Sequence, residues 1–178
     1  MGMAAWITRT AAVIAVGAAL AGCTGEAAAP AATQTPTPGP DVVHLNGFRD
    51  IAFGASAIEL AGRGRATQDP AGCGWMFTDG SAVGPSFDAD RLVLLWFNAP
   101  LHTPEGVTTG DPVEKARVAY PGATALAAPA GTYRFDGLLS VSGDRAYLFL
   151  HDGKVIQKAI AGYADAARQL FESGHGEC

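Results

Sequence analysis

The sequence predicts an α+β domain in which short helices pack against an antiparallel sheet. The segments 56–59 and 111–114 each place a capping side chain three residues before a glutamate, as helix starts do, and a glycine precedes both. A pair of strand-like runs follows each helix. One pair flanks Asp152-Gly153, a strong hairpin signal, and the other flanks residues 88–90. Because a capped helix precedes each hairpin, we expect two tandem helix-plus-hairpin units.

The predicted helices are short. The first ends near Gly62, because glycine is a poor helix former. The second has Asp111 as its N-cap and Pro112 as its first helical residue, and it stops before Pro121. A third helix over residues 163–172 closes the chain. Four of its residues share one face and are expected to contact the sheet, namely Ala166, Ala167, Leu170 and Phe171.

Strand-like runs account for most of the remaining domain. Residues 92–97 are apolar on both faces, which places this strand inside the sheet with packing on each side. The second unit has more residues between helix and hairpin than the first, and we expect residues 123–131 to hold this insertion. The predicted strands are 74–78, 83–87, 91–97, 131–135, 138–142, 145–150 and 154–160.

The first 22 residues have the order of a secretory signal peptide. Arg9 precedes the uncharged apolar run 11–20. Ten helical residues span roughly 15 Å, about half of the hydrocarbon core of a bilayer, so a membrane-spanning helix is disfavoured.

The run ends in Leu20-Ala21-Gly22-Cys23, which resembles the lipobox of bacterial lipoproteins. The resemblance implies that the Cys23 thiol carries a diacylglyceryl group, that residues 1–22 are removed, and that Cys23 becomes the amino terminus. Several acyl chains anchor a protein stably where one does not, so we expect an extracytoplasmic protein attached to the cell membrane without crossing it. An ordinary cleaved signal peptide with an incidental cysteine and an uncleaved anchor are the alternatives.

Residues 23–40 are expected to form the lipidated cysteine and its tether. The segment after Cys23 is rich in alanine, threonine and proline, contains no aromatic residue, and carries a single charge at Glu26. As a partly polyproline II chain it reaches at most about 50 Å, which keeps the domain at 41–178 near the membrane. A Pro-rich ligand for another domain is the alternative interpretation.

The protein has three cysteines, an odd number for an exported chain. With Cys23 acylated, Cys73 and Cys178 remain in an oxidising compartment, and we predict a disulfide between them. It would close a loop of about 105 residues and, in the chain-entropy model, stabilise the fold by about 4.7 kcal/mol at best. A metal or redox role is the competing idea, which the absence of CxxC spacing disfavours.

The tandem organisation resembles that of beta-lactamase inhibitory proteins and small outer-membrane assembly lipoproteins. It also resembles uncharacterised lipoproteins and secreted proteins of high-GC Gram-positive bacteria, whose second unit often begins with a Thr-x-x-Gly-Val-x-x-Gly-Asp phrase, found here at residues 103–111. Those chains often end in Gly-x-Cys, as residues 176–178 do. The resemblance implies repeats over 41–101 and 102–178.

No catalytic motif is present. The candidate acid-base residues are His44, His102, His151 and His175, and none lies in a recognisable motif. His151 is interpreted as a hairpin residue at an exposed end, and Asp88 and Asp90 as a solvated turn instead of a cation site. We therefore predict no catalytic residue, metal or cofactor.

The net charge of −5 argues against nucleic acid and against an anionic membrane surface as partners. Exposed aromatic side chains would instead indicate a protein or glycan interface, and the candidates are Trp75, Trp96 and Phe97. Core packing is the alternative for all three. Because strand side chains alternate between faces, one of Trp96 and Phe97 is expected to emerge on the face opposite the helices.

These observations favour a lipid-anchored module that binds a protein or cell-envelope component. The alternative is a small hydrolase or lyase with a His/Asp site assembled from residues distant in sequence, which requires a histidine hydrogen-bonded to a carboxylate. A solute-capture lipoprotein ranks third, because two-lobed binders need a longer chain than the 178 residues here.

Overall fold

The structure is a computed structural model that describes residues 39–72, 74–80 and 82–174. Eleven strands and three short helices are present in these ranges. The strands are β1 (Val43–His44), β2 (Gly47–Phe48), β3 (Ile51–Ala52), β4 (Ala66–Gln68), β5 (Trp75–Phe77), β6 (Val83–Asp88), β7 (Arg91–Phe97), β8 (Thr124–Leu126), β9 (Asp136–Ser142), β10 (Arg145–His151) and β11 (Ile156–Tyr163). The helices are α1 (Ala57–Gly62), α2 (Val113–Ala119) and α3 (Ala164–Ser173).

The main sheet has six strands in the order β6-β7-β11-β10-β9-β8, and every neighbouring pair is antiparallel. The hairpins β6-β7 and β10-β11 therefore meet at the middle of the sheet, where Leu95 of β7 lies opposite Ala161 of β11. Small sheets of β1-β2-β3 and β4-β5 lie outside it. The predicted α+β class, both hairpins and the interior position of residues 92–97 are confirmed.

Each face of the main sheet carries its own hydrophobic core, because strand side chains alternate between faces. In β10, Tyr147 and Phe149 belong to the larger core, which includes residues of β1 to β6 and of α1 and α2. Ala146 and Leu148 belong to the smaller core, which Ala167 of α3 completes. The helix predicted over 163–172 is thus confirmed as α3, and its small residue Ala167 is fully buried against the sheet.

The start of α1 is capped as predicted, whereas that of α2 is not. The Ser56 hydroxyl accepts a hydrogen bond from the Glu59 N–H at 3.2 Å. In α2 the N-cap is Pro112, which makes no side-chain cap bond, so the prediction of Asp111 as N-cap is wrong. The Asp111 carboxylate turns back into the preceding loop, where it accepts from the Thr108 N–H at 2.9 Å and pairs with Lys115.

Both helix starts are joined to their hairpins by the same backbone hydrogen bonds. In the first half the Gly54 N–H donates to the Leu92 carbonyl and the Leu92 N–H donates to the Ala55 carbonyl. In the second half the Gly110 N–H donates to the Ile156 carbonyl, and the Ile156 N–H donates to the Asp111 carbonyl. Gly54 and Gly110 both have a φ of 88°, a conformation that favours glycine. The division into repeats at 41–101 and 102–178 stays a prediction, which this shared junction supports.

One expectation about the second half is wrong. Residues 131–135 form a turn and irregular chain instead of a strand, because the Thr132 N–H closes a turn on the Pro129 carbonyl at 3.2 Å and Gly131 has a φ of 77°. Residues 123–131, where extra residues are expected, contain the short strand β8, which pairs with β9 and was not among the predicted strands. The two hairpins and β9 supply five strands of the main sheet, and β8 adds the sixth at its edge.

Candidate functional site

The three aromatic residues singled out in the sequence lie in different environments. Phe97 is 1 % exposed and belongs to the larger core. Trp75 is partly buried, with its ring edge-on to Phe87 at 6.5 Å between centroids. Trp96 is partly buried on the other face of β7, and its indole N–H donates to the Ser86 hydroxyl at 3.0 Å. The expectation that the emerging ring lies on the face opposite the helices holds for α1 and α2 but is wrong for α3, because Trp96 lies on the α3 side.

Trp96 lines an apolar groove beside the carboxyl end of α3, which we call the α3 groove. Its volume is about 170 Å³. The sheet contributes two side chains, α3 contributes two, and the chain segments before β9 and after α3 contribute the rest. The lining residues are Trp96, Arg134, Phe135, Leu150, Leu170, Phe171 and Gly174.

The groove exists because α3 ends before it covers the whole sheet. The helix packs on β7, β10 and β11, and it stops at Gly174, which has a φ of 71° and whose N–H donates to the Leu170 carbonyl at 2.9 Å. Trp96 and Leu150, which project from β7 and β10 on this face, are left only partly buried. Apolar surface that no element covers at a sheet end is a candidate binding surface.

A close contact fixes the floor of the α3 groove. A Cβ atom at Gly137 would lie 2.8 Å from the Phe171 ring, so the ring packs directly on the backbone of β9. Glycine is the residue that permits such a close approach of a side chain to a strand. The position of Phe171 in the groove therefore depends on the absence of a side chain at 137.

Arg134 supplies the charge at the α3 groove. Its Nη1 donates to the Glu172 carbonyl at 3.1 Å, and its guanidinium carbon lies 5.6 Å from the centroid of the Phe171 ring. Within the ranges that the structure describes, no carboxylate lies within ion-pair distance of Arg134. The groove thus combines an apolar lining with an arginine that forms no ion pair with the described residues.

Sequence reasoning missed Arg134 and Phe135 as groove residues. The only local signal is the alternation of aromatic and basic residues over 133–135 in a segment bounded by Gly131, and we interpreted that segment as a strand. Tyr133 is fully exposed and Phe135 is 37 % exposed, which is unusual for aromatic side chains in a folded domain. Exposed aromatics beside an arginine are typical of binding surfaces.

The histidines do not form a common site. The Nδ1 atoms of His44 and His151 accept from the backbone N–H groups of Asn46 and Gly153, and Nδ1 of His102 lies 2.8 Å from the Thr103 carbonyl oxygen. These three described histidines therefore use backbone partners instead of the carboxylate that an acid-base pair requires. His175 lies outside the described residues.

His151 is buried instead of lying at an exposed hairpin end, which corrects our expectation. It is 4 % exposed, on the same face of β10 as Tyr147 and Phe149. Because Nδ1 accepts the Gly153 N–H, the neutral ring carries its proton on Nε2, which is buried and makes no hydrogen bond with the described residues. Burial lowers the pKa of His151, with Arg117 acting in the same direction and the carboxylates of Asp136 and Asp152 acting against it.

This burial predicts a loss of stability in mild acid. The unfolded chain takes up a proton at the ordinary histidine pKa of 6.5, whereas the folded state resists it. The free energy of unfolding should therefore keep its full value above about pH 6.5. Below that pH it should decrease, by up to about 1.4 kcal/mol per pH unit for each such histidine. Urea unfolding measured at neutral pH and near pH 5.5 checks this.

The decrease in the free energy of unfolding between neutral pH and pH 5.5 should be smaller in His151→Gln than in the unmodified protein. His44, whose pKa burial also lowers, provides the comparison: His44→Gln should keep the part of the pH dependence that belongs to His151. Equal pH dependence in His151→Gln and the unmodified protein would contradict the assignment.

The phrase at 103–111 has a structural role. The fully buried Thr103 accepts from the Val107 N–H through its hydroxyl, and the Thr108 hydroxyl donates to the Leu101 carbonyl. The Tyr120 hydroxyl at the end of α2 donates to the Glu105 carboxylate. Burial, together with this carboxylate, raises the pKa of Tyr120, so the phenol remains a donor. The phrase therefore ties the loop to the end of α2.

The acidic turn between β6 and β7 is also used by the fold. The Asp90 carboxylate accepts from the Ser56 hydroxyl at 2.6 Å and from the Ile58 N–H at 3.2 Å, which joins the turn to the start of α1. Among the residues that the structure describes, no three His, Cys, Asp or Glu side chains cluster closely enough to hold a metal ion.

Cys23, Cys73 and Cys178 lie outside the described residues, so the lipid anchor and the disulfide remain predictions. In the described ranges no helix has the length and apolar character needed to span a bilayer. Comparisons with protein-family models, with curated proteins and with solved structures find no match to this chain.

Proposed function

We propose that the protein is a lipid-anchored binding module on the extracytoplasmic face of the cell membrane, and that it holds a protein of the cell envelope in the α3 groove. The observation that carries the proposal is the partly uncovered apolar lining of Trp96, Phe135 and Leu150 where α3 ends. Binding requires apolar surface that water leaves when a partner arrives, and this groove offers it beside an arginine.

The size of the groove favours a protein partner. Its volume of about 170 Å³ is close to that of a cavity that accepts one benzene ring, and it is below the range of about 300–1,000 Å³ typical of small-molecule sites. One inserted side chain would fill it. The exposed rings of Phe135, which lines the groove, and of Tyr133, two residues earlier in the chain, would then contact the surrounding surface of the partner.

The location follows from the amino-terminal segment. Acylation of Cys23, as the resemblance to the lipobox implies, would attach the chain to the membrane, and residues 24–40 would allow the domain to move at most about 50 Å from it. A partner in reach is therefore an envelope protein. The predicted disulfide between Cys73 and Cys178 would stabilise the domain there.

Site-specific crosslinking in intact cells tests the binding role. A photoreactive amino acid at position 133, beside the α3 groove, should give a discrete protein adduct. The matched control is position 118, because Val118 is 74 % exposed and belongs to α2, which packs in the larger core on the other face of the sheet. Absence of an adduct from position 133, or identical adducts from both positions, would contradict the proposal.

The intact mass of the protein extracted from membranes tests the anchor and the disulfide together. We expect the mass of residues 23–178 with acyl groups added, and a gain of two hydrogens on reduction. Recovery of an unacylated chain from the cytosol, with Cys73 and Cys178 both open to alkylation before reduction, would refute both.

A further inference from the structure

We propose that the α3 groove binds the carboxyl terminus of a polypeptide whose last residue is aromatic or large aliphatic. The side chain would enter the apolar part of the groove, and the terminal carboxylate would pair with Arg134. This inference rests on the proposed function and names the chemistry of the partner. Three observations support it: the volume of the groove, the charge of Arg134, and the closeness of Arg134 to the apolar lining.

The volume sets the size of the apolar group. A groove of about 170 Å³ accommodates one ring or one branched aliphatic side chain. The partly buried side chains of Trp96, Leu170 and Phe171 would surround it. Contact with such aromatic surfaces favours a phenyl or isobutyl group over a polar one.

The charge of Arg134 determines which polar group the bound polypeptide must carry. The protein has a net charge of −5, yet Arg134 faces this apolar surface and has no carboxylate partner among the described residues. Its hydrogen bond to the Glu172 carbonyl uses Nη1. The planar guanidinium has further N–H donors, and a carboxylate accepts two of them in parallel.

The separation of the two groups distinguishes a chain terminus from an internal acidic residue. Arg134 and the apolar residues line the same small groove, so the carboxylate and the apolar group must be attached close together. In a carboxyl-terminal residue both are bonded to one Cα atom. In an extended internal segment, adjacent side chains point to opposite sides, so an aspartate next to a phenylalanine would direct its carboxylate away from the groove.

A matched set of small probes tests this on the full chain. N-acetylphenylalanine presents a ring and a free carboxylate, its amide lacks the charge, and N-acetylalanine lacks the ring. Binding is measured by NMR from the indole N–H resonance of Trp96, assigned with Trp96→Phe. We expect the acid to bind at least about tenfold more tightly than the amide or the alanine analogue.

Substitutions at Arg134 test whether this residue causes the preference for the acid. Arg134→Gln should remove the preference for the acid over the amide, and Arg134→Lys, which keeps the charge but not the planar fork, should retain part of it. The matched control is Arg117→Gln, because Arg117 is an exposed cation on α2. It should leave the preference unchanged. Thermal unfolding of each variant shows that it is folded.

Several outcomes would overturn the inference. Equal binding of acid and amide would leave an apolar groove, and hence the proposed function, but exclude carboxylate recognition. Binding to none of the probes would also exclude it, while an adduct from position 133 would still support the binding module. Binding only after deletion of residues 175–178 would mean that the occupant of the groove is the chain's own tail.

Discussion

Replacing Gly162 with alanine should destabilise the domain more than an ordinary overpacking substitution, which costs about 1–3 kcal/mol. A Cβ atom at this position would lie 2.1 Å from the Val93 carbonyl oxygen and 2.9 Å from the Leu94 Cα atom. Gly162 also has a φ of 155°, which L side chains rarely adopt. Because the clashing atoms belong to the backbone of β7, no side-chain rotation relieves the contact.

The expected loss therefore exceeds about 3 kcal/mol, a large part of the roughly 5–15 kcal/mol that stabilises a typical domain. Urea unfolding, or failure to recover folded protein, measures it. Gly84→Ala is the matched control, since Gly84 lies in β6 of the same sheet and its Cβ would meet the Trp96 Cβ at an ordinary 3.8 Å. Similar stability of the two variants would show that β11 can move away from β7.

Phe149→Ala should destabilise the protein by about 3–5 kcal/mol, because it leaves a cavity that the surrounding sheet cannot fill. Phe149 is fully buried. Its ring stacks on Tyr147 at 6.1 Å and lies 5.5 Å from Tyr120, between centroids. The substitution therefore removes contacts that join the main sheet to the end of α2.

The urea midpoint should fall while the dependence of the free energy on urea stays the same, as expected when stability changes without a change in the surface exposed on unfolding. Tyr133→Ala is the control, because Tyr133 is fully exposed and its loss should change stability by at most about 0.5 kcal/mol. A loss below about 1 kcal/mol in Phe149→Ala would show that the core repacks around the gap.

Local sequence signals were accurate where the determining contacts are close in the chain. The turn at Asp152-Gly153 is fixed by the Asp152 carboxylate, which accepts from the N–H groups of Lys154 and Val155. The cap at Ser56 depends on an N–H only three residues away. Such contacts are visible in a short window of sequence, and both were predicted.

The same local rules gave wrong results where a second interaction competes with the expected one. Asp111 has the side chain of an N-cap, but Lys115 and the Thr108 N–H occupy its carboxylate. His151 adjoins a polar turn, yet its ring is covered on the inner face of β10. Residues 131–135 have strand composition, but the turn at Pro129 and Gly131 prevents pairing.

The sequence by itself determined the α+β class, the two central hairpins and α3, because periodicity, caps and turns act over a few residues. Its amino-terminal segment is also the basis of the proposed membrane location. Only the tertiary structure decided that Trp96 faces the α3 side, that α3 ends short of Leu150, and that Arg134 lies against Phe171. The α3 groove is assembled from segments far apart in the chain, and the extent to which one element covers another is set by their packing, which no local pattern encodes.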